Sequence, residues 1–200
     1  MTNSKKKATS IALGLLLGLV LSIPLGYISI KWQSENRGVE INNWRVSFGT
    51  GNFGHNYLLR AAIAVYSLGN AIPEEALFFH AFKDGNGNKL SGKHRYKITF
   101  QRGHFPPVGA FWSFTAYDAK DSYLVHNSIG RYSISDRTPG VIFNHDGSLT
   151  FYFQHEKPQG YASNWLPAPE GEFTITLRTY MPKKELLNLE WKVPPIERVE

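Results

Sequence analysis

Cysteine is absent from the 200 residues, and that one absence removes disulfides, thiol nucleophiles and Cys-ligated zinc from consideration. Nor does the sequence contain Gly-x-Ser-x-Gly, the elbow that exposes the nucleophile of many serine hydrolases. Seven histidines are present: His55, His80, His94, His104, His126, His145 and His155. None stands at His-x-x-x-His spacing or beside a second ligand at the spacing zinc sites use, so neither a metal nor another cofactor is expected. Long runs of one charge are missing too. Of the 22 Lys and Arg, three lie at positions 5–7, and the other 19 are scattered against 16 Asp and Glu. Without a basic stripe interleaved with aromatics, nucleic acid is not an expected partner.

What the sequence does have is a charge-free stretch over residues 11–30, directly after Lys5, Lys6 and Lys7. At about 1.5 Å per residue a helix of that length crosses the roughly 30 Å hydrocarbon layer, and only a helix satisfies its own backbone there. The lysines assign residues 1–10 to a basic cytoplasmic tail and residues 11–30 to a single-pass span of the inner membrane. Residues 31–200 then lie on the extracytoplasmic, periplasmic side. A cleaved signal peptide is the competing reading. It requires small residues at a cleavage site, whereas this run ends in Tyr27, Ile28, Ser29, Ile30, Lys31 and Trp32 and is longer than the about 7 to 15 residues of a usual signal core. Tyr27 and Trp32 suit the interfacial belt of a retained anchor.

Residues 31–43, polar from Gln33 onward, read as a linker, and 44–200 as one domain large enough for a real core. A glycine-rich patch over 49–54 precedes a helical pattern over 57–68, closed by Gly69, Asn70 and Pro73. Leu58, Ala61, Ala62, Val65 and Leu68 form one face of it, while Leu59, Ile63 and Tyr66 form another, so the helix is expected to be sandwiched. Its single charge, Arg60, is then expected to be at least half-buried against a carboxylate or backbone carbonyls, with Glu74 and Glu75 as candidate partners. From residue 76 the period becomes that of strands, over 77–82, 96–100, 111–117, 130–134, 149–153 and 173–180, with turn signals between them. In the last run Phe173, Ile175, Leu177 and Thr179 alternate with Thr174, Thr176, Arg178 and Tyr180, the pattern of a half-buried strand. The fold class expected is mostly β: an antiparallel, jelly-roll-like β-sandwich with one packed helix behind a transmembrane helix. A short helix is expected after Pro182, through about Leu187.

The order of several motifs is specific. Arg60 and Ala61 are followed by Pro106, Pro107 and Val108, then Phe111, Trp112 and Ser113, then Tyr117 and Asp118. Asn127, Arg131, Tyr132 and Ser133 come next, then Asp146, Gly147 and Ser148, and the run 164–169 (NWLPAP). Phe173, Arg178, Tyr180, Pro182, Trp191, Pro194 and Pro195 complete the set. Together they resemble domain-of-unknown-function family 1214 from about Gly54 onward. The resemblance implies a β-sandwich. It supplies no established reaction, and in longer relatives the domain often follows a second domain of unknown function, whose place a membrane anchor takes here.

The turn aspartates Asp118, Asp121, Asp136 and Asp146 are expected to bond their own backbone rather than act as a catalytic pair. Tyr117, Asn127, Arg131, Tyr132, Asn164, Trp165 and Arg178 are the candidate ligand-binding residues. Aromatic faces beside Asn and Arg forks suit a sugar ring or a carboxylate. Arg131, Tyr132, Asn164 and Trp165 are expected to converge on one concave patch. Arg60 and Trp112 are assigned to structure, and tryptophans as core anchors are the alternative for Trp165 as well. Three functional readings follow. The first is a cell-envelope binding or accessory module engaging a saccharide, a peptidoglycan piece or a partner protein. The second is an enzyme acting on an anionic polysaccharide by elimination or hydrolysis, with Tyr or His as acid and base. The third is a structural scaffold.

Overall fold

A computed structural model describes residues 2–66, 71–160 and 162–199, with the side chains of residues 2–5 and 66 left aside. The chain divides into two compact units, residues 1–37 with 52–70, and residues 38–51 with 71–200.

The first unit holds two helices, α1 (Thr2–Glu35) and α2 (Tyr57–Tyr66). From Lys6 to Glu35, α1 is long and apolar enough to cross a membrane once, as its charge-free run predicts. It continues past Lys31 to Glu35, beyond the expected start of the linker. α2 packs on α1 and, among its described side chains, buries only Leu59, Ala62 and Ile63, a narrow stripe at i, i+3 and i+4. The expectation of a sandwiched helix is therefore corrected: Tyr57, Leu58 and Val65 are exposed. Arg60 falls outside the stripe and is exposed rather than half-buried. The expected helix end, at Leu68, Gly69 and Asn70, lies outside the described residues.

The second unit is the sandwich. Its strands are β1 (Val39–Ile41), β2 (Trp44–Val46), β3 (Ala76–Ala81), β4 (Arg95–Phe100), β5 (Trp112–Asp118), β6 (Ser133–Ser135), β7 (Leu149–Gln154), β8 (Trp165–Pro167), β9 (Phe173–Tyr180) and β10 (Glu197–Val199). The short helix α3 (Lys184–Leu187) follows Pro182 as expected. One sheet has the order β1-β2-β3-β9-β5-β6, the other β10-β4-β7-β8. Every neighbouring pair is antiparallel except β7 and β8, which run parallel. β1 lies inside the stretch that reads as a polar linker. Asn42 and Asn43, both at positive φ (51° and 64°), form the two-residue loop that pairs Ile41 with Trp44, the geometry of a tight hairpin turn. The Asn42 amide and the Trp44 indole N–H then donate to the carbonyls of Val193 and Pro194, both at 2.8 Å. That ties the chain's first hairpin to its last segment.

Aromatic rings join the sheets. Trp112 and Phe114 of β5 meet Phe100 of β4 and Phe151 of β7 at centroid distances of 5.1 to 6.0 Å, mostly edge-to-face. Trp112 is thus a core residue, 3% exposed. On β9 the expected alternation holds, with Phe173, Ile175 and Leu177 in the core and the Thr179 hydroxyl donating to the Leu77 carbonyl.

Tyr96 of β4 is buried among these rings, and burial raises its phenol above the ordinary 10.0, partly opposed by the hydrogen bond from the Ser91 N–H. The unfolded chain therefore loses this proton first. The contribution is fully present below about pH 10 and is lost as pH rises through the folded-state value. Denaturant unfolding of the full chain in detergent is expected to show stability falling with pH across that window, with a shallower fall in Tyr96→Phe. Equal slopes in the two proteins would contradict this reading.

Candidate functional site

A cleft of about 530 Å³ opens in the sandwich between two walls. One wall is the loop after β5, with Val125, His126, Asn127 and Ser128; the other is formed by His155, just past β7, and by Pro167, Ala168, Pro169 and Glu170 at the exit of β8. The second wall is rigid for identifiable reasons. Parallel pairing sets Gln154 beside Pro167, and the Ala168 N–H donates to the Gln154 carbonyl at 2.9 Å. Beneath it, a Cβ on Gly92 would fall 1.9 Å from the Pro169 carbonyl oxygen, so only glycine lets the two backbones approach this closely.

His155 is oriented from both sides. Its Nδ1 lies 3.1 Å from the Ala168 carbonyl oxygen, which only accepts, so Nδ1 carries a proton. Its Nε2 faces the Glu170 carboxylate at 3.4 Å. The ring thus presents Nε2 to the cleft, as an acceptor when neutral and as a donor paired with Glu170 when charged. Across the cleft, the side chains of His126 and Ser128 make no hydrogen bond among the described residues, which leaves them available to a ligand.

Most of the residues chosen from sequence stand behind these walls rather than in the cleft. Asn127 lines the first wall, but its amide is engaged: Oδ1 accepts from the Arg131 N–H at 3.0 Å and Nδ2 donates to the Arg131 carbonyl at 2.9 Å. The Arg131 guanidinium donates to the carbonyls of Ala162, Ser163 and Trp165 at 2.8 to 3.3 Å, pinning the first wall to the 3-10 turn Ala162–Asn164 that leads into β8. Asn164, 1% exposed, closes a loop of its own. Its amide exchanges hydrogen bonds with the N–H and carbonyl of Ile142 and donates to the Thr150 carbonyl. The Trp165 indole donates to the Gln154 carbonyl from within the core. Tyr132 is exposed just ahead of β6 and does not line the cleft. The expected patch of Arg131, Tyr132, Asn164 and Trp165 is therefore corrected, because buried polar groups find their partners inside the fold.

Tyr117 and Arg178 do meet, elsewhere. On the outer face of the six-stranded sheet the Arg178 guanidinium donates to the Thr115 hydroxyl at 2.6 Å and to the Tyr117 hydroxyl, and it sits 5.5 Å from the centre of the Tyr117 ring. Nearby, His80 pairs with Thr176. Three of the turn aspartates, Asp118, Asp121 and Asp146, bond their own backbone as expected, while Asp136 departs from the expectation by accepting from a neighbouring strand. Asp118 and Asp121 accept from Lys120 and Tyr123 N–H groups, and Asp136 from Trp112. Side-chain and backbone bonds from Ser148 hold the Asp146 carboxyl below its ordinary range. Among the described residues no three His, Asp or Glu side chains are grouped to hold a metal ion. The lining residues His126, Ser128, His155 and Glu170 carry no sequence spacing that groups them. The one available signal was their position next to the Asn127 and 164–169 motifs.

If Arg131 and Asn164 are framework, Arg131→Ala and Asn164→Ala should each lower stability by about 2 to 4 kcal/mol, since each strands several buried backbone groups. His126→Ala and Ser128→Ala should stay within about 0.5 kcal/mol of the parent, as exposed positions do. Chemical denaturation of the full chain in detergent measures all four. The reverse order would place the functional groups in the frame instead.

The chain is similar in fold to a solved structure. The VPA0106 protein from Vibrio parahaemolyticus is 30% identical, with a TM-score of 0.60 over 72% of this chain. An uncharacterized protein from Burkholderia cenocepacia is 15% identical over 66% of the chain, with a TM-score of 0.38. This chain spans about a third of each of those proteins, 35% and 31% respectively. No curated protein matches it. The model of the family described as "Protein of unknown function (DUF1214)" matches residues 75–184, from the start of β3 to the start of α3. That segment contains both cleft walls, the Arg131 and Asn164 frame and most of the aromatic core. The chain belongs to the DUF1214 family.

Proposed function

We propose that the protein is a membrane-anchored binding module of the cell envelope, held by α1 in the inner membrane with its sandwich on the periplasmic side, and that the cleft takes a saccharide-containing ligand. The orientation rests on the lysines before α1. The observation that carries the ligand reading is the division of labour around the cleft. The polar groups of its frame are consumed by internal hydrogen bonds, while His126, Ser128, His155 and Glu170 present donors and acceptors beside the apolar lining of Val125, Pro167, Ala168 and Pro169. Hydroxyls and C–H faces alternate on a sugar in the same way, and few convergent polar groups on an apolar surface are what orient a small ligand. Binding is favoured over catalysis in that Tyr96 and Asp146, whose pKa values are shifted, lie outside the cleft and owe their shifts to burial and to a turn.

The test is titration of the full chain in nanodiscs with peptidoglycan fragments and envelope oligosaccharides, with product analysis alongside. Saturable binding is expected, weakened about tenfold or more (about 1.4 kcal/mol) by His155→Ala or Ser128→Ala, with the melting temperature unchanged. Binding that survives both substitutions would remove the ligand from this cleft. Turnover of a bound glycan would replace the module by an enzyme.

A further inference from the structure

We infer that α2 is a second membrane contact, a short helix whose free apolar side lies in the lipid headgroup and acyl boundary beside the exit of α1. The inference rests on α1 being a membrane span. α2 has one charged residue in ten and no polar face. Its buried stripe of Leu59, Ala62 and Ile63 accounts for less than half of its surface, and Tyr57, Leu58 and Val65 project outward at 68%, 37% and 58% exposure. In water such a side would need a cover. Its cover follows from what α2 packs against. α1 is apolar and bare of protein along its span, and its half-buried positions before Arg37 are Ile30, Gln33 and Ser34, at i, i+3 and i+4 near its C-terminal end. α2 thus meets α1 where the span leaves the hydrocarbon, while the exposed Trp32 ring stands on the other face of α1 at the same level. A helix with Tyr at its end, aliphatic side chains outward and one exposed arginine, Arg60, able to reach phosphate oxygens is suited to that interface. The occupant is lipid, and the exposed Arg60 is then what an anionic headgroup meets.

Since the chain is free of cysteine, single nitroxides can be placed without background substitutions. Leu17→Cys in α1, Leu58→Cys and Val65→Cys in α2, and Lys120→Cys in the sandwich would be labelled in the full chain. After reconstitution in nanodiscs containing anionic lipid, accessibility to oxygen and to a water-soluble nickel chelate is compared. Leu17, Leu58 and Val65 are expected to favour oxygen, with Lys120 favouring nickel. Leu17 favouring oxygen while both α2 positions favour nickel would overturn the α2 contact and keep the anchor. Low accessibility of Leu58 and Val65 to both reagents would mean protein cover, a second copy included, and would also overturn it. Leu17 favouring nickel would overturn the anchor and the inference together.

Discussion

The Arg131 guanidinium holds together two loops that share no sheet hydrogen bonds. A half-buried cation far from any carboxylate is costly unless oxygen atoms surround it. Here the carbonyls of Ala162, Ser163 and Trp165 do so. In return those carbonyls, at the turn entering β8, gain a donor that no strand supplies. Asn127 reinforces the arrangement by clasping the Arg131 backbone. One side chain therefore fixes the distance between the first wall of the cleft and the segment that carries the second.

The second wall inherits its rigidity from the core. β7 supplies Phe151 and Phe153 to the ring cluster, and β8 runs parallel to it for three residues, too short a pairing to stand alone. Asn164 and Trp165 complete it by donating to carbonyls of Ile142, Thr150 and Gln154. The result places His155 against the Ala168 carbonyl with a defined tautomer and aims its second nitrogen at Glu170. Preorganisation of this kind lowers the ordering cost of binding a small polar ligand. α2, by contrast, belongs with α1, so the stretch between β2 and β3 contributes to the unit that contains α1.

Much of the sandwich was legible because β3, β4, β5, β7 and β9 are long enough for alternation to show, with aromatic and β-branched residues on the buried face. β1, β2, β8 and β10 have three residues each, shorter than a period-two pattern needs, although the Asn42–Asn43 pair between Ile41 and Trp44 was a hairpin signal. The family motifs fall on the segments around the cleft, but their polar side chains are bonded within the fold. Arg, Asn and Trp suit a ligand and a backbone carbonyl equally well, and sequence does not say which acceptor is near. Arg131, Asn164 and Trp165 found theirs inside the chain, while His126 and His155, 29 positions apart, come to line one cleft only through the fold. α2 was misread for a related reason. An apolar circumference predicts burial, but not whether protein or lipid provides it.

The claim that Arg131 is framework is tested most directly by backbone 15N relaxation of the full chain in detergent micelles, comparing the parent with Arg131→Lys. All three bonds come from the one guanidinium nitrogen Nη1, and the lysine keeps the charge but lacks the planar group that holds that nitrogen in place. In the parent, residues 125–131 and 162–168 are expected to be as ordered as β5, with order parameters of about 0.85. In Arg131→Lys both segments should drop together toward about 0.6, while β3, β5 and β9 stay unchanged. Order retained in both segments would contradict the account, as would a drop spread evenly over the sandwich.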